Sequence, residues 1–309
     1  YVLYDHAGQI AATVNNRGQV TRHHYDNAGQ KVQTVEYAQL VSTAQWLSAT
    51  GTLTQSLAQL DTQLAGMANH VDNRTSYTLY TAAGKPEYKA DAAGFVTQYI
   101  YNAQGQLIEE KAYKAPLADK LLKSVNNPVI LNQWDNYDAT PAGATMTPVH
   151  DSEYGAQVME LKGQNFSNGY RLRGDNGANW QAGQNTISWD MKYAEGYTIY
   201  ISVNTSAGHR YVTYNMGSQD PKLGGQYLHH YLPERTTSGE WTTVTRDLVA
   251  DVAALEPNIS INNVNGFLIR GSGRIGEVRL SGLNEPLKAS EVNTTKLAYT
   301  AAGKIEYKT

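Results

Sequence analysis

This 309-residue chain offers eight histidines and 28 carboxylates but no cysteine, which excludes thiol catalysis, Cys-ligated zinc and a disulfide framework. No G-x-S-x-G, Walker or H-E-x-x-H motif occurs. Gly271-Ser272-Gly273-Arg274-Ile275-Gly276 fits G-x-G-x-x-G, yet that spacing holds a pyrophosphate only where a helix follows. A Val278-Arg279-Leu280 strand follows here, so the segment reads as a Gly-rich hairpin turn. His23-His24 and His229-His230 are neighbours in sequence and point to opposite faces of a strand, so neither pair can chelate one metal. His150-Asp151 reads as a solvated loop before it reads as a ligand pair. Asp135, Asp138 and Glu277 are the candidate oxygen ligands for a structural calcium, and no other cofactor is called for. Carboxylates are plentiful, but no spacing places two of them across a glycosidic bond, so an enzyme reading has no specific support.

The pattern with most chemical content is aromatic, and strands position it. Ile187, Trp189, Met191 and Tyr193 alternate with polar residues, as do Tyr197, Ile199, Ile201 and Val203. If Ile199, Ile201, Leu228, Leu232, Phe267 and Ile269 face inward, then Tyr200, Tyr227, His229, Tyr231 and Arg270 face outward, with Tyr211 joining them if Val212 is inward. Outward phenols in a sheet suit stacking on sugar C–H faces, with Arg and His left to bond hydroxyls. The competing expectation is that this face packs on another part of the molecule. Trp134, Trp189 and Trp241 read as core, whereas Trp180, in the polar loop 175–183, is either a sugar platform or a plug at the end of a sandwich.

Composition sharpens the question. The net charge of −3 argues against a nucleic-acid footprint, and no apolar run approaches the ~20 residues of a membrane span. The aromatic balance is 22 Tyr against 3 Phe, more phenols than packing alone would choose. Internal repeats account for several of them. Tyr4-Asp5-His6-Ala7-Gly8-Gln9 recurs as Tyr25-Asp26-Asn27-Ala28-Gly29-Gln30, and again as Tyr80-Thr81-Ala82-Ala83-Gly84-Lys85, Tyr101-Asn102-Ala103-Gln104-Gly105-Gln106 and Tyr299-Thr300-Ala301-Ala302-Gly303-Lys304. Asn15-Asn16-Arg17-Gly18 and Asp91-Ala92-Ala93-Gly94 fall halfway between. Each Asp/Asn-x-x-Gly reads as a turn and the flanking Tyr, Val and Thr as strands, so the units form a ladder of β-hairpins.

These residues resemble the YD-repeat (RHS, teneurin-like) family over roughly 1–37, 77–113 and 296–309, with Thr81, Asn102 and Thr300 replacing the Asp. The resemblance implies a β-ribbon spiralling into a hollow shell around a cargo polypeptide. The family's Asp-Pro-x-Gly self-cleavage motif is missing, since Asp220-Pro221 continues as Lys222-Leu223. The chain therefore reads as a segment of a large exported bacterial protein, secreted or at the cell surface, without protease or toxin tip.

Two stretches interrupt the ribbon. In 38–76, Leu53, Leu57, Leu60, Leu64 and Met67 form a helical stripe, with Thr52 and Gln55 as a capping box. Leu40, Val41, Ala44 and Leu47 suggest a shorter helix before it, so a helical hairpin is expected. The second begins with a helical connector at 114–128 (Leu117, Leu121, Leu122) ending at Asn126-Asn127-Pro128, and closes at Asn284-Glu285-Pro286 before the ribbon resumes in 284–309. Between them, 129–283 reads as an inserted β-sandwich whose ends must lie close together. Its strand candidates are 156–161, 170–173, 210–215, 226–232, 241–246, 259–261, 266–270 and 275–280, and only Asp247–Leu255 reads helical. The run from Glu240-Trp241 through Gly266–Gly271 to Arg274–Leu280 resembles jelly-roll carbohydrate-binding modules, and Gly276-Glu277 departs from the strand that often holds their calcium. The expectation is thus a mainly β protein: a YD-repeat ribbon with a helical hairpin and an inserted jelly roll. Its partners would be a glycan or polysaccharide, neighbouring repeat units and an enclosed cargo polypeptide. A purely structural shell segment, with the insert as a brace, is the alternative.

Overall fold

The computed structural model describes residues 1–44, 46–68, 70–126, 129–283, 289–300 and 302–308. The chain divides into two compact units, Tyr1–Ala118 with Leu287–Thr309, and Asp119–Pro286. The expected closures at Asn127-Pro128 and Asn284-Glu285-Pro286 lie outside the described residues.

The first unit is one ten-stranded antiparallel ribbon. Its strands are β1 (Val2–Tyr4), β2 (Ile10–Val14), β3 (Val20–Tyr25), β4 (Lys31–Glu36), β5 (Arg74–Tyr80), β6 (Pro86–Ala90), β7 (Phe95–Tyr101) and β8 (Leu107–Pro116), followed in space by β22 (Val292–Tyr299) and β23 (Ile305–Lys308). The repeated turns share one construction. The Asp5 N–H donates to Gln9 C=O at 3.0 Å, the Gly8 N–H donates to Asp5 C=O at 3.1 Å, and the Asp5 carboxylate accepts from the Ala7 and Gln9 N–H groups. Gly8, Gly29, Gly84, Gly105 and Gly303 all adopt φ between 74° and 77°, the left-handed region that only glycine enters without strain. The ladder register slips beside every Tyr of the motif, which places Tyr4 opposite Ile10, Tyr25 opposite Lys31, Tyr80 opposite Pro86 and Tyr101 opposite Leu107. A type I turn followed by a left-handed glycine and a bulge produces this slip. Asn102 repeats the two Asp bonds, accepting from the Gln104 and Gln106 N–H groups. Thr81 and Thr300 accept from the Lys85 and Lys304 N–H groups.

Successive turns on this side of the ribbon are tied together by side chains. Each Tyr hydroxyl donates to the carbonyl two residues past the preceding turn's glycine: Tyr25 to Ile10 at 3.0 Å, Tyr80 to Lys31 at 3.1 Å, Tyr101 to Pro86 at 2.8 Å and Tyr299 to Leu107 at 2.7 Å. In return, the residue after three of these glycines donates forward to the next glycine's carbonyl: Gln9 to Gly29 at 2.9 Å, Gln30 to Gly84 at 3.1 Å, and Lys85 to Gly105. This reciprocal ladder explains why the motif carries Tyr and not Phe. Tyr101→Phe keeps the ring under Lys85 and removes one net hydrogen bond, and is expected to cost about 1 kcal/mol in urea unfolding. An unchanged midpoint would show that the hydroxyl contributes nothing.

The turns on the other side are seated by returning chain. The Val41 N–H donates to Gly18 C=O at 2.9 Å, and a Cβ on Gly18 would stand 2.0 Å from the Val41 carbonyl oxygen. Leu117 and Ala118 donate to Gly94 C=O in the same way. Among its described residues, the first interruption contains one α-helix, α1 (Leu57–Ala65), rather than the expected hairpin of two. Residues 46–54 instead form a small hairpin, with Leu47 bridged to Leu53 and Thr54 donating to Trp46. Val41 and Trp46 enter the ribbon core while Leu40 and Leu47 stay exposed, so the upstream apolar residues never align as a helical stripe. Because that hairpin engages the backbone up to Thr54, the capping box moves from Thr52 and Gln55 to Ser56 and Gln59. Leu60 and Leu64 then pack against Leu3, Val14, Val20 and Val35. The second connector is also less helical than expected: α2 (Ala118–Leu121) is a single turn, and Leu122 already belongs to β9 (Leu122–Ser124).

The second unit is a two-sheet sandwich with the jelly-roll character of the expected insert. One sheet orders β10 (Trp134–Asp138), β13 (Gly169–Leu172), β20 (Ile261–Arg270), β15 (Thr198–Thr205), β16 (Gly208–Met216), β18 (Tyr227–Leu232) and β17 (Lys222–Gly224). The other orders β11 (Thr145–Asp151), β12 (Ala156–Lys162), β21 (Gly273–Ser281), β14 (Thr186–Lys192) and β19 (Thr242–Asp247), with β9 also on β21. The short helix α3 (Leu248–Leu255) is capped by the Asp247 carboxylate. Entry and exit lie side by side, the Gly282 N–H donating to Leu121 C=O at 3.0 Å. Between the sheets, Trp134, Tyr170, Trp189, Tyr193, Tyr197, Tyr214 and Phe267 form an aromatic-rich core with Ile187, Ile199, Ile201 and Leu280.

Candidate functional site

The outward face of the seven-stranded sheet collects the expected residues, and strict alternation puts them there. Ile199, Ile201, Val203, Val212, Leu228 and Phe267 are all buried between the sheets. Their neighbours therefore turn outward in cross-strand rows. Ser202, Tyr211 and Tyr227 form one row; Arg171, Leu268, Tyr200, Thr213 and His229 form the next; Arg270, Thr198, Asn215 and Tyr231 form the third. The β16–β18 pairing is parallel, while the other pairings of this sheet are antiparallel.

Three phenols make one cluster. Tyr211 and Tyr227 stack at 5.4 Å and 13°, and Tyr200 meets both edge-on at 6.0 and 6.2 Å. His209, which parity from Tyr211 also places outward, sits 4.6 Å from the Tyr211 ring and lies 2.8 Å from Ser202 Oγ. His229 stacks against Tyr227 at 6.1 Å. Burial lowers the imidazole pKa of both His209 and His229, with Lys222 adding to the effect at His229, so both are neutral at pH 7. Burial raises the Tyr200 phenol, opposed in part by Arg270.

A second aromatic station lies at the other end of the sheet. The Tyr137 ring lies across Gly169, where a Cβ would approach it to 2.4 Å, and the Arg171 and Arg270 guanidiniums stand 5.8 and 5.5 Å from its centroid. Burial pushes the Tyr137 phenol up to about 12. Arg171 is held by Asp135 through bonds of 3.0 and 2.6 Å. Arg270 donates to Asp138 at 2.6 Å and to the Phe166 and Ser167 carbonyls at 2.8 and 3.0 Å. Both cations are thus neutralised and fixed, leaving a face of rings and hydroxyls on a rigid sheet. Tyr137, His209 and Arg171 were absent from the sequence-derived set. Parity from Tyr211 identifies His209 and parity from the buried Tyr170 and Leu172 turns Arg171 outward, whereas the Asp/Asn-rich β10 hides Tyr137.

Three sequence expectations are corrected. Trp180 is not a platform: only 7% exposed, it belongs to the sandwich core and its backbone pairs with Asn265. Trp241 is only partly buried, its ring 4.4 Å from that of Tyr154 at a 39° tilt. Asp135, Asp138 and Glu277 do not converge. The two aspartates pair with Arg171 and Arg270 on β10, while Glu277 pairs with Arg279 on β21 of the opposite sheet. Among the described residues, no group of three His, Asp or Glu is placed to hold a metal ion. The glycines of 271–276 serve packing, as a hairpin reading requires. Gly271 makes the β20–β21 turn at φ +107°, and Gly273 and Gly276 lie under the rings of Tyr193 and Tyr154.

Residues 4–38 match the model of the RHS repeat family. No curated protein matches the chain in sequence. Among solved structures, the chain is similar to a family 11 carbohydrate-binding module of Clostridium thermocellum in complex with a β-1,3-1,4-mixed-linked tetrasaccharide, at 14% identity and TM-score 0.34, covering 53% of this chain and 98% of that one. It is also similar to the family 11 module of the cellulosomal cellulase Lic26A-Cel5E of the same organism, at 14% identity and TM-score 0.33, covering 54% and 98%. A third is the Clostridium thermocellum xylanase 10B structure with xylohexaose, at 13% identity and TM-score 0.26, covering 51% and 28%.

Proposed function

We propose that the sandwich binds a polysaccharide across the outward face of its seven-stranded sheet, without catalysing a reaction on it. One observation carries this reading: the Tyr200–Tyr211–Tyr227 cluster, with its rings pre-set on a rigid sheet that also carries Tyr137. Rings of this kind offer apolar faces to sugar C–H groups, and the surrounding Ser202, Asn215 and His209 supply bonds to hydroxyls. Their arrangement costs nothing to organise on binding, because cross-strand register and ion pairs already hold it. In this reading the ribbon is part of a larger exported RHS-repeat shell around a cargo polypeptide, and the sandwich is the part that reads glycan.

Affinity electrophoresis of the intact chain through gels containing neutral and acidic polysaccharides tests the proposal. Retardation by at least one polysaccharide is expected. Unretarded migration through all of them overturns it and leaves the bracing role for the insert.

A further inference from the structure

One aromatic ring beside the seven-stranded sheet is held in the open. Phe166 is 49% exposed, and it sits on a short turn, Asn165–Ser167, that is tied down from two sides. The Arg270 guanidinium donates to the Phe166 and Ser167 carbonyls at 2.8 and 3.0 Å, and is itself held by Asp138. Behind the turn, the buried Asn168 side chain accepts from the Gln164 N–H and donates to the Pro141 carbonyl, both at 2.9 Å. The ring itself lies on Gly196: the three atoms nearest to a Cβ added there all belong to Phe166, the closest at 2.7 Å. Alternation carries Gly196 onto the outward face, since Tyr197 and Ile199 are buried while Gly196, Thr198 and Tyr200 are not. Holding a phenyl ring in water against a glycine adds little to the core, but it presents a fixed apolar plane to a ligand.

We propose that Phe166 is a third aromatic station of the polysaccharide site, with one sugar chain running along the strands from the Tyr200–Tyr211–Tyr227 cluster to Phe166. Ser202 is the β15 partner of Tyr211, and from it to Gly196 an extended strand covers about 20 Å. Thr198 and Asn215 lie between, joined by a bond of 3.0 Å from the Thr198 hydroxyl to Asn215 Oδ1. The track is therefore ring, polar row, ring, which suits sugars that present C–H faces and hydroxyls in turn. Resting on the glycan-binding reading above, this placement adds a direction and a minimum length: a disaccharide cannot reach both stations.

Affinity electrophoresis of the intact chain through gels containing mixed-linked β-glucan, hydroxyethylcellulose, xylan, galactomannan or alginate reads the placement. The wild-type chain is expected to be retarded by at least one polymer, and the hexasaccharide of that polymer to release it at a concentration at least about tenfold below the disaccharide. Phe166→Ala removes the ring from an exposed position, and Gly196→Ala keeps the ring but displaces it. Each is expected to raise the polymer concentration for half-maximal retardation about tenfold, on the scale of one aromatic anchor, with the unfolding midpoint unchanged. Phe166→Tyr keeps the ring in place and is expected to bind like the wild type. Equal competition by disaccharide and hexasaccharide, either alanine variant retarded like the wild type, or a loss as large in Phe166→Tyr would each overturn the placement and leave glycan binding standing. A wild-type chain unretarded by every gel overturns both.

Discussion

Replacing Asp251 by alanine is expected to destabilise the sandwich by about 3 kcal/mol, the low end of the cost of removing one partner from a buried ion pair. Asp251 projects from α3 and is buried. Its carboxylate accepts from the Tyr214 hydroxyl and from Arg246, whose Nε lies 3.0 Å from Oδ2, with His230 Nδ1 3.8 Å from Oδ1. Arg246 also covers the Tyr214 ring, its guanidinium 5.2 Å from the centroid. Tyr214 is wholly buried, and both burial and the Asp251 charge raise its phenol, so it remains a donor in need of an acceptor. Alanine would strand that hydroxyl and leave the guanidinium uncompensated. The low end applies because the Arg246 side chain keeps about a quarter of its exposure and can turn toward water. Asp251→Asn keeps an acceptor for Tyr214 and should fall between. Urea unfolding followed by tryptophan fluorescence measures both, and a loss below about 1 kcal/mol for alanine would mean the network is not holding α3 to the sheet.

The double change Tyr200→Ala with Tyr227→Ala is expected to weaken polysaccharide binding about 100-fold or more, on the scale of two buried aromatic anchors. The loss should exceed the sum of two separate platforms. Tyr227 stacks on Tyr211 and Tyr200 meets both, so removing them frees the remaining ring as well. Isothermal titration against a polysaccharide that retards the intact chain measures the change. Unfolding of the same variant provides the control, because both phenols lie on the outward face while Ile199, Ile201 and Leu228 stay buried behind them. Retained affinity in a folded double variant would move the binding site elsewhere on the sandwich.

Much of this site was legible because strand parity is a local rule. Once Ile199, Ile201 and Leu228 are assigned to the core, a period of two leaves Tyr200, Tyr227 and His229 no other side. Turn chemistry was legible for a similar reason: Asp or Asn with a glycine three residues on closes its own bonds, as Asp5 and Gly8 do. The misreadings came where a rule needs a partner distant in sequence. Leu40, Val41, Ala44 and Leu47 have helical spacing, but a helix this short depends on tertiary packing, and the Gly18 carbonyl claimed the Val41 N–H instead. Trp180 stands among polar residues, yet its backbone bond to Asn265 draws the indole into the core. Asp135 and Asp138 looked like metal ligands until Arg171 and Arg270, from strands not adjacent in sequence, neutralised them.

The tyrosine excess divides along the same line. Of the 22 Tyr, the repeat demanded Tyr4, Tyr25, Tyr80, Tyr101 and Tyr299 in a form any reader of the sequence can see. Why the position needs a phenol was decided only in three dimensions, where the hydroxyls of Tyr25, Tyr80, Tyr101 and Tyr299 reach carbonyls 15, 49, 15 and 192 residues away. Local pattern determined the hairpins, their turns and which side chains face out of the sandwich, because those depend on dihedral preference and a period of two. The tertiary structure decided which turns are bonded together and which rings share a face, because hydrogen bonds and ring stacking act on distance in space and are blind to separation along the chain.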